Sequence, residues 1–264
     1  MKLDRKPNIK VVDPWESLNA YTNARIALGA VGSSIPNEEV MKLKLAHANA
    51  KDAIATELDV LNLEQELRKF ALPIFTVSSQ VTSREVYLKR PDLGRRLNND
   101  SVSELNKANG PFDFLFVLAD GLSAEAVNMQ SVPLVEQSIS MLSSNDLKAG
   151  VVLAKYARVA LGDEIGQLLN ARFVALFIGE RPGLSSPVSM GVYTTFAPKI
   201  GLTDERRNCI SNIHTNGLSI FQAARILQHL YEQSINKKIS GVEIKLDLSE
   251  SLSVTLNQKI DNTN

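Results

Sequence analysis

The sequence has one cysteine, Cys209, among 264 residues. No disulfide can therefore close within the chain, and an oxidising, secreted setting has no support. Neither sign of charge is in excess, Lys plus Arg matching Asp plus Glu at 29 each. Without a net field, no general attraction to nucleic acid or to an anionic membrane is expected. No apolar run approaches the roughly 18 residues that span a bilayer. Residues 1–10 are charged and no apolar segment follows them, unlike a signal peptide. No Gly-x-Gly occurs, so the dinucleotide fingerprint is missing, and no Gly-Lys-Ser/Thr ends a phosphate-binding loop. Histidine is scarce: His47, His214 and His229 show no paired metal spacing, and Cys209 has no second thiol beside it. These absences leave a soluble, cytoplasmic protein that binds no nucleic acid, enters no membrane and has no protein-ligated metal.

What is present reads as an α/β fold: a Rossmann-like parallel sheet core preceded by a helical N-terminal region. Residues 1–105 form the helical region and residues 106–264 the α/β domain in this reading. Asp13 suits an N-cap with Pro14 at the first helical position, and Leu18, Tyr21, Ala24 and Leu28 recur on one face until Gly29 and Gly32. A longer helix is predicted from Pro36, its stripe of Val40, Leu43, His47, Ala50, Ile54 and Leu61 running on toward Phe70. Ser83 to Gly110 is polar and reads as a connector or surface excursion. Asp113–Leu118, Val151–Leu153 and Phe173–Ile178 are short apolar runs, predicted as buried strands, with Leu161–Leu169 as a helix between the second and third. Strand, helix and strand at this spacing imply parallel pairing with crossover helices. A last long helix is predicted from Leu218 to about Gln233, turning Ile220, Ala223, Ala224, Leu227 and Leu230 inward. Gly241–Leu246 alternates like a final strand.

Ligands of open parallel sheets bind beyond the carboxyl ends of the strands. Asp120-Gly121-Leu-Ser123 and Gly179-Glu180-Arg181-Pro182-Gly183-Leu-Ser185-Ser186 fall at such ends and pair glycine with polar side chains. Asp120 and Ser123 have an ordinary structural explanation as turn and cap residues. Glu180 and Arg181, two charges between two glycines, have none and are the candidate binding residues. Gly121-Leu-Ser123-Ala-Glu125 resembles a nucleophile elbow, with Glu125 where a second small residue belongs. A stand-alone α/β hydrolase using Ser123 with His214 or His229 is therefore the alternative function. Asn212-Ile-His214-Thr-Asn-Gly217 nearly matches the Asp-x-His-x-x-Gly by which some corrinoid proteins supply an axial histidine. With Asn212 in place of the acid that would orient the imidazole, the match reads as coincidence.

Several longer motifs add a resemblance. Asp13-Pro14-Trp15, Ala24-Arg25-Ile-Ala-Leu-Gly29 and Leu45-Ala-His47-Ala-Asn-Ala-Lys51-Asp52-Ala53 resemble the N-terminal motifs of ethanolamine ammonia-lyase small subunits. Ala119-Asp-Gly-Leu-Ser123, Ala157-Arg-Val159-Ala-Leu-Gly-Asp-Glu-Ile-Gly166, Gly179-Glu-Arg-Pro-Gly-Leu-Ser-Ser-Pro187 and Arg207-Asn-Cys-Ile-Ser-Asn-Ile213 with Gly217-Leu-Ser219 are similar to that family too. Together they span about Asp13 to Gly241.

The resemblance implies a lyase converting ethanolamine to acetaldehyde and ammonia by a radical route. It implies adenosylcobalamin, its own base kept on cobalt, held against a large barrel-shaped partner subunit that carries the substrate site, within a hetero-oligomer. The isolated chain is expected to be inactive and to contribute no catalytic residue. The family's cobalamin-contacting positions fall on Val159, Glu180 and Cys209. Lys51 and His214 stand where the family usually has arginine. Some relatives carry a longer extension than the twelve residues before Asp13 here, and it directs them into a bacterial microcompartment.

Overall fold

The structure is a computed structural model and describes residues 10–108, 110–142 and 147–244. Its centre is β2 (Phe112–Ala119), apolar but for Asp113 and buried along almost its whole length. A strand covered on both faces needs no alternation, and this one shows none. Phe114, Phe116 and Leu118 point into one layer and Leu115 and Val117 into the other, as the period of two requires. β1 (Ile74–Ser78), β3 (Ala149–Lys155), β4 (Ala171–Gly179), β5 (Met190–Phe196) and β6 (Asn208–Ile213) complete a sheet in the order β1-β3-β2-β4-β5-β6.

The helices close both faces. α2 (Val60–Leu67), α5 (Ala124–Leu142) and α7 (Ile220–Lys237) bury Leu63, Leu67, Val127, Leu134, Leu227 and Leu230 against the Phe114 side. There Phe114 meets Phe173 at 5.2 Å and Phe116 meets Phe177 at 5.9 Å between ring centroids. α4 (Asn99–Leu105) and α6 (Leu161–Leu168) place Leu105, Leu161 and Ile165 on the opposite side. Each such fully buried side chain contributes about 1.5–3 kcal/mol. Among the described residues no helix is long and apolar enough to cross a membrane.

The α/β class and the three apolar strands agree with the sequence reading, and several elements correct it. The sheet is mixed: β1, β3, β2 and β4 run parallel, whereas β5 pairs antiparallel with β4 and β6 with β5. The helix expected from Pro14 to Leu28 is a single 3-10 turn, Glu16–Ala20, with Trp15, Leu18 and Tyr21 exposed. Asp13 is not its N-cap: Trp15 holds that place without a side-chain cap bond, and Asp13 only accepts from Trp15 N at 2.9 Å in the turn before it. None of the described residues covers the apolar face, and short helices owe most of their stability to such cover. The long stripe breaks in two. α1 (Asn37–Ala55) ends where Thr56 turns extended, and Asp59 restarts the chain as the N-cap of α2, accepting from Asn62 N at 3.1 Å. His47, Leu43 and Leu61 are exposed rather than buried.

The polar stretch after Ser83 is not a connector. Its Ser and Asn residues are caps: Ser83 opens α3 (Arg84–Lys89) by accepting from Val86 N, and Asn98 opens α4 by accepting from Ser101 N. α7 starts two residues later and runs four further than predicted, under a capping box of Ser219 and Gln222. Gly241–Ile244 is a turn with Ile244 buried, and Lys245 and Leu246 of the expected final strand lie outside the described residues.

Candidate functional site

From β2 the chain passes through α5 to β3 on one side, then through α6 to β4 on the other. The crevice at the carboxyl end of β2 is therefore a topological switch point, where open α/β sheets take ligands. The loops after β2 and β4 touch there backbone to backbone, Leu122 N donating to Gly179 O at 2.9 Å. Only glycine allows this approach. A Cβ on Gly121, which also holds φ +60°, would meet Gly179 O at 2.3 Å, and a Cβ on Gly179 would meet Ser123 O at 2.0 Å.

Asp120 ties the third strand end in. Its carboxylate accepts from Tyr156 N at 2.6 Å, Ala157 N at 3.0 Å and Gly121 N at 2.8 Å. Burial pushes this carboxyl up to about 6, against the pull of those amides and of Arg84. Because the folded value exceeds the unfolded one, the folded state binds more protons between about pH 4 and 6. Asp120 then stabilises the fold most below its unfolded value of 3.8, and that contribution is lost as pH rises through 6. Asp120→Asn is expected to flatten this slope. It also turns an NH2 toward a backbone N–H, so urea unfolding near neutral pH is expected to show a net loss of about 1–3 kcal/mol.

Arg84 clamps the same corner from α3. Its guanidinium donates to Ile54 O at 3.0 Å, Gly121 O at 2.8 Å and Leu122 O at 3.0 Å. The loop after β3 carries Arg158 and Val159 into the crevice. Arg158 lies over the Tyr87 ring, 4.0 Å from its centroid, and donates to Tyr87 O at 2.8 Å.

These elements enclose a cleft of about 440 Å³ lined by Leu122, Arg158, Val159, Glu180, Arg181 and Tyr193, among others. Glu180 is held by design of its neighbours: its carboxylate accepts from Ser189 Oγ at 2.6 Å, Ser211 Oγ at 2.7 Å and Asn212 N at 3.4 Å. Gly191 of β5 leaves the space, since a Cβ there would come within 2.9 Å of Glu180 Oε1. The carboxylate is oriented yet only half-buried, with accepting capacity to spare. Cys209 sits on β6 directly opposite Tyr193. Its thiol is pushed up by burial, pulled back by the Tyr193 hydrogen bond and pushed again by the Glu180 charge. A raised thiol is a poor nucleophile and metal ligand, so Cys209 is a soft contact surface.

A second hollow, of about 450 Å³, continues from the first. It shares Arg158, Val159 and Tyr193 and extends past Arg95 and Thr203 to Arg207. Arg207 is buried, paired with Asp163 and with Asp204 at 2.8 Å, and donates to Leu202 O at 3.1 Å.

The structure thus brings Val159 and Glu180 to one cleft, whereas Cys209 is not in its lining and reaches it only through Tyr193, its partner across the sheet. Ser123 is fully buried and its hydroxyl donates to Pro187 O at 3.2 Å, which removes the hydrolase alternative, because a nucleophile must be reached by its substrate. His214 meets Ser186 instead, the Oγ 3.1 and 3.0 Å from the two ring nitrogens. An oxygen equidistant from both lies over the ring and in line with neither lone pair, so this contact is no nucleophile–base pair. His214 lines neither part of the cleft. Tyr193 was hidden in a segment not read as a strand, although Val192-Tyr193-Thr194-Thr195-Phe196 is rich in β-formers. Arg158 lies in the Ala157–Gly166 motif, and its signal is a cation three residues past the end of β3.

With this geometry in view, relatives can be compared. The family described as ethanolamine ammonia-lyase light chain (EutC) matches residues 12–245. The small subunit of Azotobacter vinelandii ethanolamine ammonia-lyase is 42% identical over 247 residues, covering 92% of this chain and 91% of that protein. The corresponding protein of Pseudomonas putida strain GB-1 is 44% identical over 238 residues, 88% of each chain. That of Pseudomonas fluorescens strain Pf-5 is 43% identical over 238 residues, 88% of this chain and 87% of that protein. The chain belongs to the family of ethanolamine ammonia-lyase small subunits.

Proposed function

We propose that the chain is the cobalamin-holding subunit of an adenosylcobalamin-dependent ethanolamine ammonia-lyase, with Val159, Glu180 and Cys209 as its cofactor contacts. The observation that carries the reading is the meeting of Val159 and Glu180, from different strand ends, in one cleft at the switch point, with Cys209 across the sheet from the lining residue Tyr193. A corrinoid periphery is rich in amide donors, and the cleft offers the complement: an oriented, half-exposed carboxylate beside apolar and soft surface. Glu180 accepts from those donors, Val159 covers a flat apolar face, and Cys209 packs without bonding to metal. Adenosylcobalamin, when bound there, would supply the radical chemistry that turns ethanolamine into acetaldehyde and ammonia.

A partner is part of the reading. Trp15, Tyr21 and Leu61 are 67%, 87% and 81% exposed, and apolar groups left open in this number mark an interaction surface. The large subunit covers them in this proposal and closes the open side of the cleft. The part from residue 106 onward then carries the cofactor contacts and the earlier region meets the partner, with Tyr87 supporting Arg158 from below. The parallel strands β3, β2 and β4 around the switch point serve as a Rossmann-like half-fold.

Co-expression with a large subunit and an assay of ammonia release from ethanolamine tests the whole reading. Activity is expected only with both chains and the cofactor, and activity from this chain alone would overturn it. Glu180→Ala is expected to weaken adenosylcobalamin binding by the complex about 10- to 100-fold, the loss of hydrogen bonds to a charged acceptor. Unchanged affinity in equilibrium dialysis would remove Glu180 from the site.

A further inference from the structure

We infer that the second hollow of the cleft, around Arg158 and Arg95, takes the phosphodiester of the corrinoid's nucleotide loop; this rests on the cofactor reading above. The two hollows share Arg158, Val159 and Tyr193, so a single ligand can occupy both. Their chemistry differs. The first presents a carboxylate, Glu180, beside the guanidinium of Arg181, so its charges offset one another. The second presents three guanidinium groups, Arg95, Arg158 and Arg207, and the hydroxyl of Thr203. Its one lining carboxylate, Asp204, is already bonded to Arg207, and Asp163 neutralises Arg207 from behind. The uncompensated positive charge therefore sits on Arg158 and Arg95.

Two buried donors there have no partner, Arg158 Nε and Arg207 Nε. Arg158 is also fixed in advance. Its backbone N–H donates to Gly94 O at 2.8 Å, its guanidinium rests on Tyr87, and a Cβ at Gly94 would come within 2.8 Å of its Cγ. A planar donor fork already immobilised loses little entropy on binding a phosphoryl group. The corrinoid carries one such group, between its ring and its lower base.

The test compares two cofactor forms on the complex with the large subunit. Adenosylcobalamin has the phosphodiester; adenosylcobinamide lacks it together with the base. Arg158→Met is expected to weaken adenosylcobalamin binding about 10- to 100-fold and adenosylcobinamide binding by a much smaller factor. Arg95→Met, at an exposed side chain that does not support the fold, is expected to act in the same direction by a smaller factor. Adenosylcobinamide phosphate, which restores the phosphate without the base, regains sensitivity to both substitutions. Equal losses for both cofactor forms, or none for either, would overturn the assignment. Wild-type complex that binds neither form overturns the cofactor reading itself, a result distinct from either of those.

Discussion

Arg207→Met is expected to cost the fold about 3–5 kcal/mol, the penalty for removing one partner of a buried ion pair. Arg207 and Asp163 are 3% and 2% exposed at their side chains, so neither has water to fall back on. The Asp163 carboxyl is already pushed up to about 6 by burial, against the attraction of Arg207. Without the guanidinium it stays neutral or drags water into the first turn of α6. Leu202 O loses its donor as well. Asp204, whose side chain is open to solvent, loses only a surface contact and contributes little. Replacing both buried partners, Asp163→Leu with Arg207→Met, is expected to recover most of the loss, since well-packed apolar pairs often equal buried ion pairs. Urea unfolding of the two single variants and the double variant measures the coupling directly. Near-additive losses would show that the pair does not act as a unit.

Gly179→Ala is expected to damage the fold and the cleft together. Its Cβ would lie 2.0 Å from Ser123 O, 2.5 Å from Ser123 C and 2.7 Å from Asp120 O, all backbone atoms. No side chain can swing aside, so the two loops must separate, at about 3 kcal/mol, the upper end of ordinary overpacking. The Leu122 N to Gly179 O bond goes with them. Glu180 is the next residue, and its hold on Ser189 and Ser211 needs the present position of β4. Loss of cofactor affinity in the assembled complex should therefore accompany the loss of stability. Gly183→Ala is the control: the nearest atom to its Cβ would be 3.6 Å away, and it should behave like the parent.

Legibility in the sequence followed burial. Phe112–Ala119 and Phe173–Ile178 announced themselves because strands covered on both faces must be apolar throughout. β6 did not, because Asn208-Cys209-Ile-Ser-Asn-Ile213 sits at the sheet edge and leaves Cys209, Ser211 and Asn212 exposed. β1 is five residues at the other edge, too short to stand out from its Pro-containing surroundings. Apolar spacing misled in the N-terminal region, because a stripe declares that something will cover it and is silent on whether that cover belongs to the same chain. Asp13–Leu28 and most of the α1 stripe carry their larger apolar side chains outward, while Ala50 and Ala53 of α1 are buried. At the site, Glu180 was visible as a charge without a structural excuse. Its supports were not: Ser189 stands just before β5, Ser211 and Asn212 lie on β6, and only tertiary structure reveals that these meet. Ser123 shows the converse: the local motif permitted a nucleophile, and burial withdrew it.

Arg84 joins three carbonyls that belong to different parts of the chain: Ile54 at the end of α1, and Gly121 and Leu122 on the floor of the cleft. A guanidinium shared in this way is a rigid strut, and displacing one end loads the other. A ligand that displaced Ile54 would strain the bonds to Gly121 and Leu122, and one that displaced the cleft floor would strain the bond to Ile54. Two ligands that pull on one strut are thermodynamically linked, and the linkage is reciprocal. The factor by which one tightens the other is the same in both directions, and cutting the strut uncouples them while leaving each surface in place.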